Sequence, residues 1–277
     1  MDLGSGASLG VFAAGLVSLV AFVVVERRAA EPVLPLWVFQ RRILVAGNAV
    51  ALIIGALLIG LSSYVPTYVQ GVLGTGPVVA GFALAALTLG WPLAATYSGR
   101  LYMRIGFRDT ALFGVGLIVV GAVLTALLGA GSSVWSVAGA CFVLGLGLGL
   151  ASSPTLVAVQ SVVGWDRRGV VTGTNMFCRS IGSAVGVAVL GAIANSTLSH
   201  RFASPPAAIA GRLPRDVDAT SLVLGGAHAS GSAVATFVRT ALYDATHHVF
   251  VGLVVVAVAL VVAVVLMPRR TEPLVFD

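Results

Sequence analysis

The chain has 277 residues, 58% of them hydrophobic and only 9% charged, with a formal net charge of +6. A water-soluble domain carries about 25% charged residues to solvate its surface, so this composition excludes a soluble globule and points to a helical bundle whose sides face lipid. The basic balance does not point to nucleic acid either, because the 16 basic residues, every one of them Arg, are spread between apolar runs rather than gathered on one face.

Seven apolar runs follow in chain order, at about 8–25, 43–69, 77–99, 109–129, 134–159, 169–195 and 247–267. A helix needs roughly 20 apolar residues to cross the hydrocarbon core. Backbone groups in lipid must pair within their own segment, and the alternation of a lipid-facing barrel is absent. The fold class expected is therefore all-α integral membrane, with about seven spans. Residues 1–7 lack a positive region, and Arg27 and Arg28 come after the first apolar run, which suits a retained helix with its N-terminus outside.

Arginine placement sets the expected orientation. Arg27, Arg28, Arg41, Arg42, Arg100, Arg104, Arg108, Arg167, Arg168, Arg269 and Arg270 fall on one side of the alternating connections. Arg201, Arg212, Arg215 and Arg239 fall on the other, in the long segment 196–246, and Arg179 lies within a helix. The richer side is expected to be cytoplasmic. The C-terminus then lies in the cytoplasm, and the N-terminus and 196–246 outside; the lack of Lys with abundant Ala, Gly and Val looks like the coding bias of a GC-rich bacterial genome, so a multi-pass protein of the bacterial inner membrane is expected. Segment 196–246 carries Pro205, Pro206, Gly211 and Pro214, then a moderately apolar stretch at about 229–243. It reads as an irregular loop followed by a short interfacial helix.

Polar residues at mid-membrane depth usually face the bundle interior. The second, third, fifth and sixth runs carry them, among them Asn48, Ser62, Tyr64, Tyr68, Thr88, Trp91, Ser152, Thr155, Thr172, Asn175 and Arg179. The fourth has only Thr125 deep within it, and Val249 to Met267 has none. After the first helix the order is lining, lining, peripheral, twice over, which is a three-plus-three repeat of the kind found in secondary transporters. Gly145, Gly147 and Gly149, and the Gly182 and Gly186 pair, suit close helix approach rather than a phosphate loop, since no strand precedes them and no Lys-Ser/Thr follows. Pro66, Pro92 and Pro154 lie inside helices, where they mark either packing kinks or breaks beside a binding site. Cys141 and Cys178 lie in separate runs and read as packing residues. No metal-ligand cluster or catalytic spacing appears, so neither an enzyme nor a metal site is expected.

The connection after the third run reads Gly99-Arg100-Leu101-Tyr102-Met103-Arg104-Ile105-Gly106-Phe107-Arg108. It resembles the signature loop of the major facilitator superfamily, matching at Gly99, Leu101, Arg104, Gly106 and Arg108 and departing at Met103, where an acidic residue is usual, and at Phe107. Glu31 to Leu36, Tyr64 to Gln70 and Arg179 to Ala188 add to the likeness. Together they look like the C-terminal half of the 14-helix drug:proton antiporters of the EmrB/QacA type.

That resemblance implies an extra inter-bundle helix and linker at 1–42, a six-helix bundle at 43–268 and a cytoplasmic tail at 269–277. It implies export of hydrophobic or cationic small molecules driven by the proton motive force, without a cofactor. It also implies a partner bundle, either a missing N-terminal half or a second copy. The alternatives are a facilitator-type carrier of another solute and a non-transporting membrane assembly partner.

Gly99, Arg100, Arg104, Gly106 and Arg108 are candidate gating residues on this likeness, against a plain topological role. Asp109 or Asp166 could partly substitute for the acid lost at Met103. Asn48, Tyr64, Tyr68, Ser152, Thr155, Asn175 and Arg179 are candidates for a translocation path. For the uncharged ones the alternative is interhelical hydrogen bonding. For Arg179 it is a structural guanidinium on carbonyls or one snorkelling to the membrane surface. His247 and His248 could sense pH or anchor a helix at the interface.

Overall fold

A computed structural model describes residues 6–28, 36–204 and 233–269. Seven α-helices are found: α1 (Gly6–Arg28), α2 (Arg42–Gly71), α3 (Pro77–Ile105), α4 (Phe107–Ala126), α5 (Val134–Ser161), α6 (Arg168–Ala203) and α7 (Ala233–Val265). Among the described residues there is no strand, and α2 to α7 are each long and apolar enough to cross a membrane. The chain is an all-α membrane protein. Helix α1 stands where the first span was expected; its described side chains, Glu26 apart, are exposed.

Local chemistry sets the helix ends. Pro77 opens α3, where a missing N–H costs nothing. Ser133 caps α5, its Oγ accepting from the Trp135 amide at 3.1 Å. Gly106 separates α3 from α4 in a single residue with φ +89°, a region that side chains avoid. Its amide donates to Tyr102 O at 2.9 Å, closing the last turn of α3.

Helices α2 and α5 form the centre, and the other four flank them as two matching pairs. Helix α2 packs against α6 and α7 as α5 packs against α3 and α4, while α4 meets α7 across the back. Superimposing α2-α3-α4 on α5-α6-α7 in thought reproduces every main packing pair, which is the three-plus-three organisation read from the polar pattern. Hydrocarbon offers no hydrophobic drive for helix association, so contact area and close backbone approach must hold the bundle. Glycine supplies the approach at equivalent crossings. A Cβ on Gly55 would strike the Arg179 carbonyl and one on Gly182 the Leu52 carbonyl, at the α2–α6 crossing. Gly90 and Gly145 stand in the same relation to Phe142 O and Leu87 O at the α3–α5 crossing.

The inner surfaces of α2, α4, α5 and α7 share one core, which includes Ile54, Leu57, Leu61, Ile118, Leu144, Leu148, Leu253 and Leu260. A second cluster at the arginine-rich end joins Val38, Leu44, Val159, Val163, Val171 and Met267, with Trp37 and Phe107 packed on it. There Arg42 Nε donates to Leu266 O at 2.8 Å, tying the start of α2 to the end of α7. At the opposite end the Tyr68 hydroxyl donates to Gly129 O at 2.7 Å, and Arg239 Nε donates to Val72 O. Helix α7 exposes Val251, Val255, Val258 and Val262, and α4 exposes Phe113, Val120 and Leu124. These apolar stripes at three- and four-residue spacing fit the lipid-facing role read for both helices.

Segment 196–246 requires a correction. Residues 196–203 continue α6, and 233–246 form the first part of α7. The short interfacial helix expected near 229–243 is therefore no separate element within the described residues. No Gly or Pro falls between Gly191 and Pro205 or between Ala233 and Gly252, so nothing halts either helix where hydropathy declines. At 36 and 33 residues, α6 and α7 run about 50 Å and outreach the hydrocarbon core by roughly 20 Å. Their extensions pair through Phe202 against Phe237, ring centroids 5.5 Å apart, and through Arg201 to Asp244 at 2.5 Å. Pro205, Pro206, Gly211 and Pro214, the linker from Glu31 to Pro35 and residues 270–277 lie outside the described residues.

Candidate functional site

Helices α3 and α6 are the least buried spans of the bundle, although both carry polar residues at depth. They flank the central pair α2 and α5. Where the four approach one another, Gly47, Val50, Ala51 and Ile54 of α2, Trp91 of α3, Ser152, Ser153, Thr155 and Leu156 of α5, and Asn175, Met176 and Arg179 of α6 enclose a cavity of about 180 Å³. Arg179 lies eleven residues beyond Arg168, roughly 16 Å into α6 from its arginine-rich end.

The electrostatics of the cavity centre on Arg179. Its Cζ lies 4.9 Å from the centroid of the Trp91 ring, within reach of the negative face of the indole. Among the described residues no carboxylate lines the cavity. Ser152, Ser153, Thr155 and Asn175 line the same cavity. Asn175 is itself fixed: its Nδ2 donates to Gly47 O at 3.1 Å and reaches Asn48 Oδ1 at 3.4 Å. Asn48 is 4% exposed and sits behind Asn175, its own Nδ2 buried without a partner. The Thr155 hydroxyl donates back to Ala151 O at 2.7 Å.

One turn further along the same helices, Leu58, Ile59 and Ser62 of α2, Leu87 and Thr88 of α3 and Ser183 of α6 line a second crevice of about 290 Å³. Ser183 Oγ lies 3.1 Å from both Gly55 O and Arg179 O, so it stitches the α2–α6 crossing as well as lining the crevice. Cavity and crevice, one turn apart on α2, α3 and α6, are together called the trough.

Of the seven candidate path residues, Ser152, Thr155, Asn175 and Arg179 line the cavity and Asn48 supports it from behind. Tyr64 and Tyr68 lie outside it. They are sixteen and twenty residues beyond Asn48 on α2, which puts them about 24 and 30 Å up the helix axis. Tyr68 is buried, with its ring edge-on to Phe250 and its hydroxyl on Gly129 O. Tyr64 is half-buried against the main core. Trp91, Ser153 and Met176 belong to the cavity but are absent from the candidates drawn from sequence. A Trp-Pro step inside a polar-faced helix was the available signal for Trp91.

The signature loop lies elsewhere. Arg100 and Arg104 occupy the last two turns of α3, exposed, and line a groove between α3 and α4. Gly99 faces the Tyr102 hydroxyl, and Arg108 opens α4 with its Nε buried and unpartnered. Arg104 forms no ion pair with Asp109 or Asp166; Asp166 lies 3.5 Å from Arg167, whose guanidinium also stacks over Trp37. His247 stacks on Tyr243, and His248 Nδ1 lies 2.7 Å from Asp244 O, both on the outer part of α7.

The sequence profile of the Major Facilitator Superfamily matches residues 5–187, more than half of the chain. The chain belongs to the major facilitator superfamily. It is similar to the multidrug transporter protein MdtP of Bacillus subtilis, at 26% identity over 95% of this chain and 53% of that protein. It is also similar to a tetracycline resistance determinant of Streptomyces rimosus, at 32% identity over 68% of this chain and 54% of the relative. A tetracenomycin C resistance and export protein of Streptomyces glaucescens is 31% identical over 70% of this chain and 36% of its own length. The chain thus spans about half the length of the relatives it matches, or less. A major facilitator chain in which α2 to α7 can each cross a membrane is a multi-pass membrane protein.

Proposed function

We propose that this chain is the C-terminal bundle of an exporter of hydrophobic or cationic drugs, of the 14-helix EmrB/QacA type, coupled to the proton motive force without a cofactor. The observation that carries the reading is the cavity beside Arg179, lined also by Ser152, Ser153, Thr155 and Asn175, on the face of α3 and α6, the two least buried spans. A second six-helix bundle, from the rest of the same protein or from a second copy, would cover that face, and substrate would cross between the two. Alternating access requires two bundles that rock about a shared site. The names of the relatives, a multidrug transporter and two antibiotic resistance proteins, support drugs as the substrate class.

Among the described residues no carboxylate lines the trough, and the proton-carrying acid is assigned to the covering bundle. The membrane is the bacterial inner membrane, with the N-terminus outside, the C-terminus in the cytoplasm and the arginine-rich end of the bundle facing the cytoplasm.

The test is efflux of a fluorescent cationic dye from drug-sensitive bacteria producing the complete transporter that contains this chain. Efflux that requires the protein and stops on addition of a protonophore supports the proposal. Efflux that persists after the proton gradient is collapsed removes proton coupling, and dye retention equal to that of cells lacking the protein removes drug export.

A further inference from the structure

We propose that the groove between α3 and α4 holds one anionic glycerophospholipid, with its phosphate between Arg100 and Arg104. The groove has a volume of about 570 Å³, within the range of sites that enclose small molecules. Leu93 and Leu117 stand on its walls, and Leu146 and Leu150 of α5 form its floor. It is lined from α3, α4 and α5 and shares no lining residue with the Arg179 cavity or the crevice beyond it, so it does not rest on the proposed path. Such an apolar channel at membrane depth suits an acyl chain.

The chemistry at its end selects the headgroup. Arg100 and Arg104 are four residues apart, on one face of the last two turns of α3, and both line the groove. Neither guanidinium has a hydrogen bond or an ion pair within the described residues, and no carboxylate lines the groove. The residue between them that the family resemblance would make acidic is Met103, 83% exposed. With no internal counter-ion, two adjacent guanidinium groups at the end of a span meet the phosphate layer of the bilayer, where each basic residue adds attraction for anionic lipid. An inorganic phosphate would leave the apolar walls unused. A zwitterionic lipid offsets its own phosphate with an amine. An anionic lipid satisfies both parts of the groove.

The experiment is native mass spectrometry of the purified chain in detergent, titrated with phosphatidylglycerol or with phosphatidylcholine of the same acyl chains. One phosphatidylglycerol is expected to be retained per chain, at roughly tenfold or greater preference. Arg100→Gln/Arg104→Gln should abolish the preference, with helicity and melting temperature unchanged. Leu117→Trp, which fills the groove and keeps both arginines, should lower retention of phosphatidylglycerol. Equal retention of the two lipids by the unaltered chain, an undiminished preference in either variant, or displacement of the lipid by millimolar inorganic phosphate would each overturn the proposal.

Discussion

Arg179 of α6 lies over the indole of Trp91 of α3, its Cζ 4.9 Å from the ring centroid, and so bridges the two least buried spans of the bundle. The contact contributes about 0.5–2 kcal/mol, depending on how much water the guanidinium keeps. It also resolves a difficulty posed by sequence, because an Arg at this depth needs a partner and the described spans offer no carboxylate beside it. Among the described residues Arg179 neither reaches a helix-end carbonyl nor pairs with an acid; it leans on an aromatic face at a cavity wall.

Arg179→Ala in the complete transporter is expected to lower dye efflux at least tenfold while the amount of membrane-inserted protein stays the same. Trp91→Phe should retain more efflux than Trp91→Leu, because a ring face remains under the guanidinium. Efflux rates normalised to immunoblots of the membrane fraction check both. Unchanged efflux in Arg179→Ala would leave that residue a purely structural role.

The α2–α6 crossing should be intolerant of bulk. Gly182→Leu places side-chain atoms against the Leu52 carbonyl, and the helices must part. A cost of about 2–3 kcal/mol is expected from overpacking, read as a lower melting temperature in detergent. Gly81→Ala and Gly139→Ala, where an added Cβ meets nothing within 4 Å, should melt like the unaltered protein.

Arg201 and Asp244 close the outer ends of α6 and α7 at 2.5 Å, with the Arg side chain 53% exposed. An ion pair this wet is worth about 0–1 kcal/mol. Asp244→Asn should therefore shift the melting temperature only slightly, and the swap Arg201→Asp/Asp244→Arg should restore it. A collapse of several degrees in Asp244→Asn alone would mean that this aspartate does more than pair with Arg201.

At the other end, reversal of Arg104 to Asp is expected to go unrescued by Asp166→Arg. The structure brings Asp166 beside Arg167, and Arg104 lines a groove on another side of the bundle. Restored efflux in the double reversal would place Arg104 and Asp166 in contact in some other state of the transport cycle.

The positions of the spans and their division into polar and apolar helices were legible because hydropathy and Gly or Pro punctuation act locally. Asn48 and Asn175 show what was not. They meet across 127 residues of sequence, and only the α2–α6 crossing brings them together. Polarity identified α2 as a lining helix but carried no depth, so Tyr64 and Tyr68 were grouped with Asn48 although they lie two dozen ångströms or more along it. The extensions of α6 and α7 escaped notice for a different reason. A hydropathy reading ends where the membrane ends, whereas a helix ends only where its backbone is interrupted, and neither sequence supplies an interruption there.

The direct measurement is thiol accessibility along the two faces of the bundle. In a Cys141→Ala/Cys178→Ala background, single cysteines at Ser153 and Met176 mark the trough and single cysteines at Val120 and Val255 mark the apolar stripes. A charged, water-soluble thiol reagent applied to open membrane fragments containing the complete transporter should modify the first two within minutes and leave the last two unreacted. Equal reactivity at all four positions, or reaction only at Val120 and Val255, would contradict a water-filled path past Arg179.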